Sequence, residues 1–191
     1  MKLSQDQILS AAFALLEAEG LEGLTMRRLA PRLNVQPPAL YWHVGDKAEL
    51  LARMAATIYA EARAAVPASE GWAEWLAHFG QAMRRSLLAR RDGARLCAGA
   101  TPVLADSQDA ADAIAAPLVA LGLERSRAIS FQSSVISLAL GWSLYAQSKP
   151  MHDFLSGLMD FEASFDIGLG AMIHGFAHAA APIDAGGRAP I

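Results

Sequence analysis

The sequence predicts an all-α fold, with three short N-terminal helices in a helix-turn-helix and a larger helical C-terminal region. Apolar residues recur at helical spacing along most of the 191 residues, and no stretch stands out with the alternation of a half-buried strand. Helix-capping residues and turn signals punctuate that spacing at short intervals near the N-terminus. With 53% apolar residues, the chain can also bury a sizeable core.

The first predicted helix begins after Ser4 and stops at Gly20. Ser4 and Gln7 have the spacing of a capping box, and apolar residues follow at positions 8, 11, 12, 15 and 16. Thr25 is the next N-cap, and it predicts a short helix over 26–33 with its three arginines mostly outward. Pro31 should loosen the second half of that helix, because proline has no amide hydrogen.

A tight turn at Asn34 leads to a third helix, predicted over 37–43. Asparagine tolerates the backbone angles of such a turn. The two prolines that start the helix have a fixed φ and no amide hydrogen, which suits a first turn. Asp46, with a glutamate three residues on, then caps a fourth helix that runs toward residue 65.

The remainder is predicted to be helical, with breaks at "VPASEG", "GATPVLADS", "LGLE" and "SKPMHD". The helix predicted over 126–147 is apolar on two faces, so it needs two burial partners, such as its own domain and another subunit. The segment 161–181 is similar and rich in small residues. We therefore expect an N-terminal domain over 1–63, a larger helical domain over 64–182, and a disordered tail over 183–191.

Composition bounds the cellular setting. The single cysteine excludes an intrachain disulfide and fits a reducing compartment. Acidic residues among the first twenty positions exclude a secretory signal, so a cytoplasmic location is expected. The segment from Ala128 to Ser148 carries no charge, but eight of its residues are polar, which predicts a helix buried in protein and no membrane partner.

The charge distribution indicates nucleic acid, although the formal net charge is −3. Residues 1–24 carry one lysine against four acids, whereas residues 25–47 carry four basic side chains against one aspartate. A helix-turn-helix places its last short helix in the major groove of DNA. Tyr41 and His43 can donate to phosphates from the end of that helix, and Lys47 adds a charge. The leading edge can contact thymine methyls, and its residues are Pro37, Pro38 and Ala39.

These residues carry a family resemblance. The string "GLEGLTMRRLAPRLNVQPPALYWHVGDKAELL" resembles the DNA-binding signature of the TetR family of transcriptional regulators, and "YWHVGDK" is similar to its tetracycline repressor subgroup. The strings "LLARRDGARLCAGATP", "LGLE" and "SLALGWSLYAQ" resemble the ligand-binding domain of that subgroup. The resemblance implies a homodimer that binds a DNA operator, with a C-terminal core in which a small effector changes DNA affinity.

The resemblance also assigns roles by position. It implies that Arg27 reads a guanine and that Trp42 mainly supports the recognition helix. Base-edge contacts are implied for Pro37, Pro38 and Ala39, and phosphate contacts for Thr25, Tyr41, His43 and Lys47. Met26 and Pro37 stand where the tetracycline repressor has polar residues that touch the operator, so the operator sequence does not transfer.

The ligand pocket departs further from the subgroup. Cys97 stands where the tetracycline repressor has its magnesium-binding histidine, and Tyr145 stands where it has a carboxylate. A thiol and a phenol lack hard-cation character, so we expect a metal-free pocket without a cofactor, and a bulky, mostly apolar or aromatic ligand. Thr101, Gln132, Ser137 and Tyr145 are candidate polar groups that orient this ligand. The candidate lining residues are Phe79, Met83, Cys97, Thr101, Phe131, Val135, Leu138, Trp142 and Tyr145.

Several alternatives remain open at this stage. His174 and His178 have a zinc-binding spacing, but no third ligand is near them in sequence, so packing or interface roles are favoured. Cys97 is either a buried pocket thiol or a redox sensor. No catalytic motif is present, so an enzyme is not expected. The functional alternatives are an activator, and an all-α binding protein or enzyme whose helix-turn-helix is only structural.

Overall fold

The computed structural model describes residues 3–100 and 107–180, and within these ranges the chain forms ten helices and no strand. This architecture confirms the all-α prediction. In chain order the helices are α1 (Gln5–Gly23), α2 (Met26–Arg32), α3 (Pro37–Val44), α4 (Lys47–Ala64), α5 (Trp72–Leu88), α6 (Gly93–Gly99), α7 (Ser107–Ala120), α8 (Arg125–Gln147), α9 (Lys149–Ser156) and α10 (Phe161–Ala180).

The three predicted N-caps are confirmed by their hydrogen bonds. The Ser4 hydroxyl accepts from the Gln7 amide at 3.2 Å, and the Gln7 side chain accepts from the Ser4 amide at 2.9 Å. Thr25 and Asp46 accept in the same way from the amides three residues on, at 3.3 and 2.8 Å. Helical dihedrals in α1 break at Gly20, which has a φ of 73°, at the predicted end of the first helix.

The helix-turn-helix is built on buried leucines. Leu29 of α2 and Leu40 of α3 are both fully buried in the head formed by α1 to α4. The turn between α2 and α3 contains Asn34 at a φ of 55°. The amide of Val35 donates to the carbonyl of Ala30 at 3.1 Å, which closes the turn. The predicted role of asparagine in this turn is therefore confirmed.

In the C-terminal body, α5 lies against α8 and α10. The three helices meet at Gly80, where a Cβ would lie 2.8 Å from the Leu169 methyl groups and 3.0 Å from Val135. The missing side chain lets the helices approach closely. Helix α7 turns back onto α8 through Gly122, which has a φ of 87°. The body is thus a packed helical layer with α8 near its centre.

Helix α8 spans residues 125–147, one residue longer than predicted. Two of its polar side chains, Gln132 and Ser143, are fully buried. Across residues 3–100 and 107–180, no helix has the length and hydropathy to cross a membrane. The uncharged segment forms most of α8, which buries one face in the body and leaves Ser130, Ser133, Ser137 and Tyr145 exposed.

The predicted break at "SKPMHD" is confirmed at its first residue, and the other five residues are helical. Only Ser148 leaves the helical conformation, with φ −98° and ψ 99°, and α9 begins at the next residue. Pro150 lies in the first turn of α9, where a missing amide hydrogen has no cost. The proline therefore starts a helix here.

Helix α4 joins the head to the body. It packs against α1 and α3 on one side and against α5 and α6 on the other. Its residues Met54, Ile58 and Ala62 are completely buried and belong to a hydrophobic cluster that extends from Ile8 to Ile173. One continuous core therefore underlies both parts of the molecule.

Candidate nucleic-acid interface and effector site

Helix α3 presents a ring-bearing surface to the outside. Leu40 and Val44 are fully buried and fix its inner face. On the outer face, Tyr41 is 50% exposed and His43 is also exposed. At the leading edge of α3, Pro38 and Ala39 are exposed and Pro37 is half-buried. This edge can therefore contact base edges as the sequence analysis predicts.

Trp42 corrects the sequence analysis. The resemblance implies a support role for this residue, but its side chain is 91% exposed and packs against no core. Together with the half-exposed Tyr41 beside it, this ring forms an exposed apolar patch, and such patches mark interaction surfaces. Since Trp42 lies between Tyr41 and His43 on the outer face, it belongs to the surface that would meet DNA.

The arginines of α2 differ in their pairing. Arg28 and Arg32 both form ion pairs with Glu19 of α1, the latter at 3.4 Å. Among the described residues Arg27 forms no ion pair, and its side chain is exposed. Sequence reasoning missed the role of Glu19, because nothing local to α2 indicates it. Arg27 is thus the α2 cation left available to a nucleic acid.

Thr25 and Lys47 flank the recognition surface at two helix starts. Thr25 caps α2, and Lys47 is the first residue of α4 and half-buried. A cation at a helix N-terminus opposes the helix dipole, whereas a phosphate there is favoured by both the dipole and the lysine charge. The position of Lys47 therefore suits a phosphate contact.

The turn between α5 and α6, residues 89–92, is held by α8. The Gln147 amide nitrogen donates to the carbonyls of Leu87 and Arg90 at 3.2 and 2.8 Å. Its amide oxygen accepts from the Ala94 amide at 3.1 Å. One side chain at the end of α8 thus satisfies three backbone groups of the α5–α6 turn and its flanks.

The same turn is bound to α1. The Asp92 carboxylate accepts from the Leu21 amide at 2.8 Å, and Asp92 itself has a φ of 55°. The Arg91 guanidinium donates to the carbonyls of Glu17 and Ala18 at 3.3 and 3.1 Å. The α5–α6 turn therefore connects the body to the head through hydrogen bonds.

Arg90 connects α4 to the α5–α6 turn. Its guanidinium pairs with Glu61 of α4 at 2.7 Å and lies 4.6 Å from the ring centroid of Phe13 in α1. Opposite charge and a cation–π contact both hold it in place. Displacement of the α5–α6 turn would consequently shift the residues of α1 and α4 that contact it.

Of the nine predicted ligand residues, five are buried in the body. Phe79, Met83, Cys97 and Val135 are buried in the body, on α5, α6 and α8. Phe131 stacks on Phe176 of α10, with ring centroids 4.1 Å apart. The others are placed individually: Trp142 packs edge-on against Phe161 and Phe165 of α10, Leu138 is half-buried, Tyr145 is 48% exposed, and Thr101 lies outside the described residues.

The environment of Cys97 is apolar. Burial raises the pKa of its thiol to about 12, although Arg90 acts in the opposite direction. Tyr59 of α4 is close enough to be affected, and burial followed by the Cys97 charge raises the pKa of Tyr59 to about 12. Cys97 thus lies beside the helix that leads to the head.

We predict that Cys97 reacts slowly with thiol reagents in the folded protein. A pKa raised from 9.0 to about 12 leaves roughly a thousandfold less thiolate at pH 8. Absorbance on reaction with DTNB checks this, since the chain has one cysteine. The protein unfolded in urea is the control, and equal rates in both states would favour the redox-sensor alternative.

Two further features lie outside these groups. In the described part of the chain, no three His, Cys, Asp or Glu side chains are arranged to hold a metal ion, and His174 and His178 are exposed. An open cleft between α5 and α10 has a volume of about 570 Å³ and lies at the bidentate Arg84–Glu162 ion pair. Of the predicted ligand residues, none is among those that line this cleft.

The protein thus combines a helix-turn-helix that has an exposed recognition surface with a larger helical domain. This places it in the class of two-domain helix-turn-helix proteins. Residues 8–54 match the family model of "Bacterial regulatory proteins, tetR family", and residues 66–154 match "Tetracyclin repressor-like, C-terminal domain". The chain belongs to the TetR family.

Individual relatives agree with this assignment. The class A tetracycline repressor from transposon 1721 of Escherichia coli is 33% identical over 92% of this chain and 91% of its own length. Matches to other tetracycline repressors, such as class E at 43% identity over 53% of this chain, cover only about half of those proteins, 49% for class E.

Solved structures are similar over nearly the whole chain. A TetR variant from Acinetobacter baumannii AYE in complex with minocycline has a TM-score of 0.78 and 33% identity, and covers 95% of this chain and 100% of its own. ActR from Streptomyces coelicolor in complex with actinorhodin has a TM-score of 0.76 and 26% identity, with the same coverage.

Proposed function

We propose that this protein is a ligand-responsive transcriptional repressor that binds a palindromic DNA operator as a homodimer and releases it when a small effector binds. Residues 1–63 form the DNA-binding domain in this proposal, and residues 64–182 form the ligand-binding and dimerisation domain. The observation that carries it is the exposed recognition surface of α3, which lies in a head whose helices α1 and α4 are joined to the body by hydrogen bonds. The named relatives are repressors or transcriptional regulators, which agrees with a non-enzymatic role.

The proposed DNA contacts divide by their chemistry. Arg27 reads a guanine edge, because a guanidinium can donate two hydrogen bonds to it. The apolar edge of α3, residues 37–39, faces thymine methyls. Phosphates are held by the hydroxyls of Thr25 and Tyr41, the His43 ring and the Lys47 ammonium. This arrangement combines one base-reading cation with several positioning contacts.

The homodimer is supported by an uncovered face of α10. Side chains built at Gly168, Gly170 and Gly175 would meet no atom within 4 Å, and Ile167 is 71% exposed. Small residues permit close helix packing, and covering an exposed isoleucine is favourable because it removes apolar surface from water. A second copy that packs here would place two heads on DNA, where adjacent major grooves are about 34–36 Å apart.

The coupling between effector and DNA runs through the α5–α6 turn. Gln147 of α8 holds that turn on the body side, while Asp92 and Arg91 hold α1 on the head side. An effector that moves α6 or α8 would therefore shift the heads. A modest change in head separation loses both half-sites together, provided the effector prefers the shifted state.

The effector is proposed to be apolar or aromatic and to bind without a metal or cofactor. Phe79, Met83 and Val135 offer buried apolar surface, and the Cys97 thiol is a poor ligand for a hard cation. Two structurally similar proteins were solved in complex with minocycline and with actinorhodin. A bulky, mostly apolar or aromatic effector agrees with the buried surface that these residues offer.

Fluorescence anisotropy tests the proposed function. Labelled DNA from immediately upstream of the gene is titrated with protein across a series of salt concentrations, beside a scrambled duplex. We expect tight binding to the upstream DNA that weakens steeply with salt, because phosphate contacts release counterions. Equal binding to both duplexes would contradict an operator there, and a reporter driven by that DNA separates repression from activation.

We also predict that operator DNA shields Trp42 from iodide. Trp42 is the exposed member of the four tryptophans, since Trp75 is buried and Trp72 and Trp142 are half-buried. Iodide quenching of tryptophan emission should therefore decrease when operator is added. The Trp42→Phe variant is the control and should show little change, whereas unchanged quenching of the wild type would place Trp42 away from DNA.

A further inference from the structure

Gln132 is a buried amide without a partner. Its side chain lies in the middle of the body on α8 and is 0% exposed. Within the described part of the chain, neither the amide nitrogen nor the amide oxygen has a hydrogen-bond partner. Buried polar groups in proteins are nearly always paired, because an unpaired one has lost its bonds to water. The Gln132 amide therefore has donor and acceptor groups available for hydrogen bonds to a bound molecule.

The location of Gln132 matches the proposed effector site. It lies one helical turn before Val135, the α8 residue that meets α5 at Gly80. The adjacent residue Phe131 contacts Trp72 of α5, with ring centroids 5.7 Å apart. Helix α8 also packs extensively against α7. The amide thus lies on the buried face of α8, next to residues that contact α5.

A second buried polar group without a hydrogen-bond partner lies on α8, and it has a simpler explanation. The Ser143 hydroxyl is also buried without a partner, eleven residues further along the same helix face. A serine hydroxyl in a helix can rotate to donate to the carbonyl four residues earlier. Such local bonds are made by the hydroxyls of Ser134 and Ser137 in this helix. The amide of Gln132 has no equivalent local bond, so it is the informative group.

We propose that Gln132 binds the effector through both atoms of its amide and so determines the effector's chemical class. This inference rests on the proposed function. A carboxamide offers one acceptor and one donor side by side, and it recognises an edge that carries the complementary pair, as glutamine does on adenine. The effector is therefore a flat aromatic compound with a hydrogen-bond donor next to an acceptor, as in a ring lactam.

The first test compares two amides on one helix. Gln132→Met removes the orphan amide at similar volume and should raise the melting temperature of the free protein. Gln147→Met removes an amide with three hydrogen bonds and should lower it. A clear decrease for Gln132→Met would mean that water or protein already satisfies the amide, and it would overturn the proposal.

The second test uses two probe compounds of the same shape. Phenanthridinone is a tricyclic lactam, and benzochromenone is its lactone, with a ring oxygen in place of the NH. Calorimetry should show that the wild type binds the lactam at least about tenfold more tightly, because the lactone leaves the amide oxygen unpaired. In Gln132→Met this preference should disappear. No preference in the wild type, or no binding of either probe up to its solubility limit, would overturn the proposal.

Operator binding without either probe separates this inference from the proposed function. A wild type that prefers the lactam but binds no operator would retain the role of Gln132 and reject the repressor. A wild type that binds operator without any lactam preference would do the reverse.

Discussion

Replacement of Gly93 with alanine is expected to lower the free energy of unfolding by about 3 kcal/mol. Gly93 is buried at the first position of α6, and a Cβ there would overlap the carbonyl oxygen of Leu87. This oxygen is a backbone atom, and it also accepts from Gln147 at 3.2 Å. It cannot move aside without loss of that bond. Urea denaturation followed by circular dichroism measures the effect.

Gly99→Ala is the matched control, because Gly99 ends the same helix. A Cβ at Gly99 would meet no atom within 4 Å. Alanine has the higher helix propensity, so this variant should be neutral or more stable by up to about 1 kcal/mol. Similar losses in the two variants would contradict the specific overlap at Gly93.

The second large effect concerns Arg27. Arg27→Ala should weaken operator binding by about thirtyfold or more, since each bidentate contact to guanine contributes about 1–3 kcal/mol and a dimer loses two of them. Binding to a scrambled duplex should change much less, because base contacts carry the specificity. Anisotropy titrations of both duplexes at one fixed salt concentration measure this difference.

Arg28→Ala serves as the control on the neighbouring residue. The Arg28 guanidinium forms an ion pair with Glu19, so less of its charge is available to DNA than that of Arg27. Its removal should alter operator affinity only slightly. If both variants lose equal affinity for operator and for the scrambled duplex, the arginines act only through their charge, and the base-reading role of Arg27 is wrong.

Local chemistry made much of the fold predictable. The caps at Ser4, Thr25 and Asp46 depend on contacts three residues apart, and the sequence displays these directly. The same holds for the turn at Asn34, whose backbone angle suits few residues. Helix existence and the helix-turn-helix therefore followed from short-range patterns.

Contacts between distant segments were not predictable. Gln147 bonds to residues 53–60 positions away, and Asp92 bonds to an amide 71 positions away. The exposure of Trp42 depends on which neighbours surround it after folding, and a resemblance transfers the role of a position without those neighbours. The orphan state of Gln132 likewise depends on the absence of partners, which only the packed body reveals.

The continuous core limits how regulators of this design can be recombined. An exchange of residues 1–63 between relatives would transfer promoter recognition, but it would place foreign side chains against the body at the buried positions of α4. It would also separate Glu17, Leu21 and Glu61 from the arginine and aspartate partners that evolved with them. Under the proposed function, such a chimera would keep its promoter choice and lose its response to the effector. Because residues 1–63 already carry nearly all of α4, a working graft must also bring a matching α5–α6 turn.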